Sequence, residues 1–256
     1  MNDPRIQLIS SGGRKRGPSA ARNAGVRAAS GDWVAFLDAD DLWENTHIEG
    51  IAALVAMDAS IGCAFSSWKI QYIGGKREQE PTAADVDGSA AISDGAIVLH
   101  SWVARKYCPL WTSAIAVNKS HFLEIGAFNE SYRRGEDKEA WLRLLLSGNV
   151  GRSTTPTAIY RRDIPGQAVT SPPTEIHPVA ITVRNILKDE KTAVGITSDL
   201  QRLSNWELWK YAKANRGRSA LDHRFLNYFY FTHNPVYFCM TLLIFTLSRL
   251  RATTSR

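Results

Sequence analysis

The chain has 256 residues, 44% of them hydrophobic and 22% charged, which suits one large globular domain or one domain with an appendage. These values exclude a disordered chain, a collagen-like repeat and a polytopic membrane protein. The formal charge of +6 is uneven: residues 1–199 hold 22 basic against 23 acidic side chains, and residues 200–256 hold nine against two.

In chain order, Met1 is followed by Asn2-Asp3-Pro4-Arg5, with no charged n-region and apolar h-region, so no secretory signal is expected. Ile6–Ile9 reads as a short strand and the Ala-rich stretch 20–29 as a helix, with Pro18 near its start. Trp33–Leu37 is a continuous apolar run of strand length and reads as a buried parallel strand. A helix is expected from Glu44 to Met57, a strand from Cys63 to Ile73, and an unpatterned polar loop from Lys76 to Asp94. Ile97–Val103 reads as a helix, Ser113–Val117 as a strand and His121–Ile125 as a short helix. Glu136–Leu146 is a strong amphipathic helix with Trp141, Leu144 and Leu145 on one face and Gly148 as its stop. Thr157–Tyr160 is the last expected strand, and from Pro172 onward only helices are expected. Strands alternating with helices at short range give an α/β sheet. Cys63, Cys108 and Cys239 are far apart and form no C-x-x-C pair, which argues for a reducing compartment over a disulfide framework or a zinc site.

Three segments carry chemistry. The run GDWVAFLDADDLW at 31–43 puts Asp38, Asp40 and Asp41 at the C-terminal end of a strand, where open α/β sheets bind ligands. Carboxylates two apart in a turn can meet one Mg²⁺ or Mn²⁺ that also takes substrate phosphate oxygens. The same turn can instead cap the next helix through Asp41 or Asn45. Glu136 and Asp137 open the Trp141 helix, where a carboxylate can act as general base or simply favour the helix start. Gly17-Pro18-Ser19 leading to Arg22 and Asn23 can present N–H groups and a guanidinium to phosphate, or leave Arg22 on a solvated face. Trp43 and Trp111 can stack on a sugar or base, or pack in the core.

Together and in this order, GPSAARNAG at 17–25, GDWVAFLDADDLW at 31–43 and GAFNESYRRGEDKEAWLRLLLSGN at 126–149, followed by Tyr160-Arg161 and Thr170-Ser171, resemble the family 2 glycosyltransferases of the GT-A fold. The resemblance covers residues 5–171. It implies transfer of a sugar, normally with inversion, from a nucleotide-diphospho-sugar donor to a hydroxyl acceptor, in surface polysaccharide or glycolipid synthesis. It implies Asp40 and Asp38 as ligands of a divalent cation (Mn²⁺ or Mg²⁺). Asp38, Arg22 and Asn23 would lie on the donor side and Asp137 would be the catalytic base. Glu136, Trp111, Trp43 and Asp163 would give acceptor contacts or support. Many members carry a His near the Asp163 position, and Asp163 is also an oxygen ligand.

Members usually open with two further strands ending in an Asp-Gly-Ser-type loop that hold the nucleotide base. Ile6–Ile9 matches their third strand. The expected architecture is thus a GT-A-like, Rossmann-like and mostly parallel sheet flanked by helices over 1–171, lacking the N-terminal strands, with a helical appendage at 172–256. A catalytically inactive or fragmentary relative, unable to bind the nucleotide, is the alternative. In the appendage the apolar run after Pro235 has about 12 residues, against the ~20 needed to span a bilayer. Its aromatic residues and flanking arginines suit an interfacial helix on an anionic membrane, or packing on the body or a second copy. The expected location is cytoplasmic, at the inner face of the plasma membrane, with a glycan or lipid-linked acceptor. No recognition motif accompanies the basic charge, so nucleic acid is not an expected partner.

Overall fold

The computed structural model describes residues 3–10, 17–72, 78–79, 91–162, 175–188, 194–216, 223–231 and 235–254. It divides into two compact units, one of residues 1–98 and 109–164, the other of residues 99–108 and 165–256.

The first unit is built on one sheet. Its strands are β1 (Trp33–Ala35), β2 (Leu42–Trp43), β3 (Cys63–Tyr72), β4 (Glu78–Gln79), β5 (Ala91–Asp94), β6 (Ile115–Asn118) and β7 (Asn149–Arg162). The main path runs β1-β6-β3-β7-β2, with β4 on β3 and β5 on β7. Helices α1 (Gly17–Ala28), α2 (His47–Met57), α4 (Lys119–Glu124) and α5 (Glu136–Leu146) belong to this unit, and α3 (Gly95–Arg105) runs from it into the second.

The expected α/β fold is present, but the sheet is mixed rather than mostly parallel. Among the described residues only β3 and β7 pair in parallel, while β1–β6, β2–β7, β3–β4, β3–β6 and β5–β7 are antiparallel. An apolar run reports burial and says nothing of a neighbour's direction, and β6 enters between β1 and β3 against both. Ile6–Ile9 is not a strand: Leu8 is fully exposed, Ile6 is 71% exposed, and Ile6 N–H turns back to Asp3 O. Without a neighbouring strand, an extended apolar segment cannot satisfy its backbone in a ladder.

The centre of the sheet is the β3–β7 pair. The first six residues of β3 are buried, and α2 packs across β3 and β7 through Ile51 and Leu54. Gly151 of β7 makes that approach feasible, because a Cβ there would meet Ile61 and Leu54 at 2.8 and 3.1 Å. The register slips between Ser66↔Ser153 and Ser67↔Pro156 and again before Trp68↔Ala158. Pro156 cannot donate to a ladder and sits at this irregularity. Beyond it β7 also pairs with β2, Leu42 opposite Ile159 and Trp43 opposite Ala158. That pairing fixes the chain just after the acidic turn. A second core lies under α5, where Trp141 packs with Phe36, Phe122 and Phe128, with centroids 5.4 Å apart for Phe36–Phe128 and 5.5 Å for Phe128–Trp141.

The second unit, apart from its share of α3, holds α6 (Pro178–Ile186), α7 (Val194–Ala214), a 3-10 turn at His223–Tyr228 and α8 (Pro235–Thr254). Ala180, Leu208, Tyr211 and Phe225 form its buried centre. Among the described residues no helix is long and apolar enough to cross a membrane.

Candidate active site

Arg22, on α1, is the hub of the site. Its Nη2 donates to both carboxylate oxygens of Asp38 at 2.9 and 3.1 Å, and its Nη1 donates to Glu136 Oε1 at 3.0 Å. The guanidinium also lies over the Phe128 ring, 5.5 Å from its centroid, a favourable cation–π placement. Burial works against the Arg22 charge, but Asp38, then Glu136 and Asp137, outweigh it and hold its pKa above the ordinary arginine value. One cation thus joins the acidic turn after β1 to the first turn of α5.

The acidic turn is held from beneath by Asp41. This carboxylate is buried and accepts from Ser113 Oγ at 2.6 Å, from Trp111 Nε1 at 3.0 Å and from Arg161 N at 3.2 Å. Ser113 Oγ in turn accepts from Asp38 N at 3.1 Å, so Asp38 N–H, the Ser113 hydroxyl and Asp41 form a chain. Burial raises the Asp41 pKa, and its three hydrogen bonds oppose the rise. Neither Asp41 nor Asn45 caps α2; Thr46 occupies the cap position and makes no side-chain cap bond. Asp38 and Asp40 are both half-buried at the outer side of the turn.

Gly135, with φ of +72°, gives the left-handed bend that starts α5. Glu136 is buried, and burial followed by repulsion from Asp137 raises its pKa, with Arg22 opposing. Asp137 is half-buried, and its Oδ1 accepts from Lys138 N at 2.7 Å. Asn23 is used differently from an exposed donor contact: its amide accepts from Phe128 N at 3.0 Å and donates to Phe128 O at 2.8 Å. Arg143, paired with buried Glu139, donates to Ile125 O and Ala127 O. Asn23 and Arg143 together hold the loop that carries Phe128 under Arg22.

Trp43 donates from Nε1 to Ser113 O at 2.5 Å and stacks on His47 at 4.6 Å. Trp111 packs on Trp68 and Tyr160, at 5.1 and 4.4 Å. Both indoles are half-buried and brace the acidic turn. Asp163 lies outside the described residues, as do Thr170 and Ser171. Ser113 and His47 are site-building residues that the pattern reading did not single out, and a lone serine in an apolar run carries no signal that could have found it.

Among the described residues no three His, Cys, Asp or Glu side chains converge as a metal site. The donor set fits a hard cation nonetheless. Mg²⁺ takes about one or two protein carboxylates with water and phosphate oxygens, and Asp40 and Asp38 supply oxygen only.

The mixed sheet flanked by helices is similar in fold to the GT-A glycosyltransferases. Residues 2–84 match the family model described as Glycosyl transferase family 2. Among solved structures, S. aureus TarS 1–349 in complex with UDP-GlcNAc superposes with a TM-score of 0.60 at 13% identity, over 94% of this chain and 73% of that one, a likeness of fold. The Escherichia coli protein named UDP-Glc:alpha-D-GlcNAc-diphosphoundecaprenol beta-1,3-glucosyltransferase WfaP is 28% identical over 163 residues, 63% of this chain. The Rhizobium meliloti succinoglycan biosynthesis protein ExoO is 59% identical over 39 residues, 15% of this chain. The chain spans 57% of the length of WfaP and 11% of that of ExoO.

Proposed function

We propose that this chain is an inverting glycosyltransferase that moves a sugar from a nucleotide-diphospho-sugar to a hydroxyl acceptor. The observation that carries this reading is the Arg22 guanidinium bound to Asp38 and Glu136 together, since it brings the two acidic motifs to one place. The acceptor oxygen attacks the anomeric carbon, its proton passes to an Asp137 carboxylate oxygen, and the bond from that carbon to the diphosphate oxygen breaks. The Lys138 N–H on Asp137 Oδ1 orients the base in the first turn of α5. Arg22 sits beside the turn where the leaving diphosphate gathers charge and can answer it while holding Glu136 in place. A Mg²⁺ or Mn²⁺ held by Asp40 and Asp38 would stabilise the same charge as a Lewis acid. The names of the relatives favour a uridine diphosphate sugar and a lipid-linked acceptor in surface polysaccharide or glycolipid synthesis. The free Cys63, Cys108 and Cys239 thiols favour the reducing, cytoplasmic side.

The test is calorimetric donor binding and transfer assays with UDP-, GDP- and dTDP-sugars plus Mn²⁺. Asp137→Asn should keep donor binding and lose roughly a thousandfold in transfer, the scale of general-base catalysis. Undiminished transfer removes Asp137 as the base. A second reading is a chain that keeps the acidic site without a nucleotide pocket. The exposed Ile6, Leu8 and Ile9 and the outer edge of β1, unpaired among the described residues, favour it. Folded protein that binds none of these donors would establish that second reading.

A further inference from the structure

The second unit carries a surface that its own packing leaves uncovered. Along α8, Val236, Met240, Leu243 and Leu247 are all exposed, between 43% and 60%. Their spacing of four, three and four residues lines them on one stripe of the helix. Thr241, on the opposite side, is fully buried. Exposed Leu242 and, before the helix, Phe231 add to the apolar area.

The start of α8 also belongs to an aromatic and lysine cluster. Trp206 and Trp209 of α7 stack at 5.1 Å, and Tyr237, next to Val236, stacks on Trp209 at 5.3 Å. Lys106 Nζ lies 5.4 Å from both the Trp206 and Tyr237 ring centroids, Lys210 Nζ 5.6 Å from Trp206, and Lys213 Nζ 5.0 Å from Trp209. Lys106 and Lys213 are exposed. Half-buried indole and phenol rings beside lysines are the side chains that sit at a lipid headgroup layer. Buried Glu207 pairs with Lys210 at 2.6 Å, which leaves Lys106 and Lys213 as the outward charges of the cluster. α8 itself contains no Asp or Glu.

We infer that the stripe Val236–Met240–Leu243–Leu247, with the aromatic cluster that carries Lys106 and Lys213 at its start, docks this unit in the plane of an anionic lipid surface. The apolar stripe enters the acyl boundary and the lysines meet the lipid phosphates, as in-plane amphipathic helices do. A second copy of the chain fits less well. A helix-to-helix seam of this spacing is normally flanked by opposite charges, whereas α8 contains no Asp or Glu to supply one sign. The inference stands on this unit alone, independent of the glycosyl-transfer reading.

The test is flotation of the full chain with vesicles of phosphatidylglycerol and phosphatidylcholine in equal parts, against vesicles of phosphatidylcholine alone. The chain should float with the anionic vesicles and release as salt is raised. Met240→Gln with Leu243→Gln, at exposed positions, should weaken binding at least about tenfold, from the apolar area withdrawn from lipid. Lys106→Gln and Lys213→Gln should each cost about fivefold, the contribution of one basic residue near an anionic surface. Quenching of tryptophan fluorescence by brominated acyl chains in the anionic vesicles, in the unmodified chain, checks the contact without relying on any variant. Equal binding to neutral vesicles, unchanged binding by the Met240/Leu243 variant, or absent quenching overturns the proposal. So does a dimer in sedimentation that this variant splits, which would assign the stripe to a second copy.

Discussion

Acidification should weaken this fold through His47, and the size of the effect follows from its surroundings. The ring is 1% exposed, stacks on Trp43 and bonds through Nδ1 to Thr157 Oγ1 at 2.8 Å. Nε2 has no hydrogen-bond partner among the described residues. Burial therefore holds its pKa down at about 4, against 6.5 in the unfolded chain. Above 6.5 both states are neutral at this position and His47 adds no pH dependence. As pH falls between those two values the unfolded chain takes up the proton first, so stability drops and levels off below the folded value. Going from about pH 7 to about pH 5, the loss from this one group is about 2 kcal/mol. Urea unfolding at the two pH values gives the total change in ΔG, and His47→Phe, which keeps an aromatic ring beside Trp43, isolates the histidine's share. The variant should lose about 2 kcal/mol less than the parent over that interval. Equal losses in parent and variant would show that His47 is protonated alike in both states, and the reasoning would fail.

Two further outcomes rest on the same site and its neighbours. Arg22→Met strands buried Glu136 beside Asp137 without its counter-charge, and should cost about 3 kcal/mol in urea unfolding at neutral pH, the low end for breaking a buried pair. The cost should shrink as pH falls and Glu136 is protonated; an unchanged unfolding midpoint would refute the hub role. Of the three thiols, Cys239 is exposed, Cys63 is fully buried with its pKa pushed up to about 12, and Cys108 is buried. A native chain should then react promptly with one equivalent of an aromatic disulfide reagent and with three only when unfolded. Anionic vesicles should shield Cys239, which lies on the exposed side of α8.

Much of the helical framework was legible because it is written in local periodicity and punctuation. The spacing of Trp141, Leu144 and Leu145 and the stop at Gly148 place α5 over the residues it occupies, since an amphipathic stripe and a helix terminator act within a few residues. Strand lengths were less legible. Thr157–Tyr160 is only the end of β7, which begins at Asn149, because Gly151 and Pro156 interrupt any β pattern in the chain while β3 and α2 hold the strand from outside. Direction was not legible at all. Trp33–Ala35 pairs antiparallel with β6, some eighty residues away in the chain, and nothing in its own composition specifies that partner.

The acidic turn shows why site chemistry resists the same treatment. Asp38, Asp40 and Asp41 are chemically alike and adjacent, yet the fold gives them different work. Asp41 is turned inward to Ser113, Trp111 and Arg161, three donors that lie about 70 and 120 residues further along the chain by register with β7 and the turn before β6. With three donors on its oxygens it is committed to the interior, and it does not cap α2. Asp38 keeps its carboxylate outward but shares Arg22 with Glu136, so its charge is balanced before any ligand arrives. Asp40 is half-buried in the same turn. The division follows from the β2–β7 pairing: Trp43 opposite Ala158 brings Arg161 N–H to Asp41. Losing that pairing would therefore disorder the inward carboxylate first and the outward pair as a consequence.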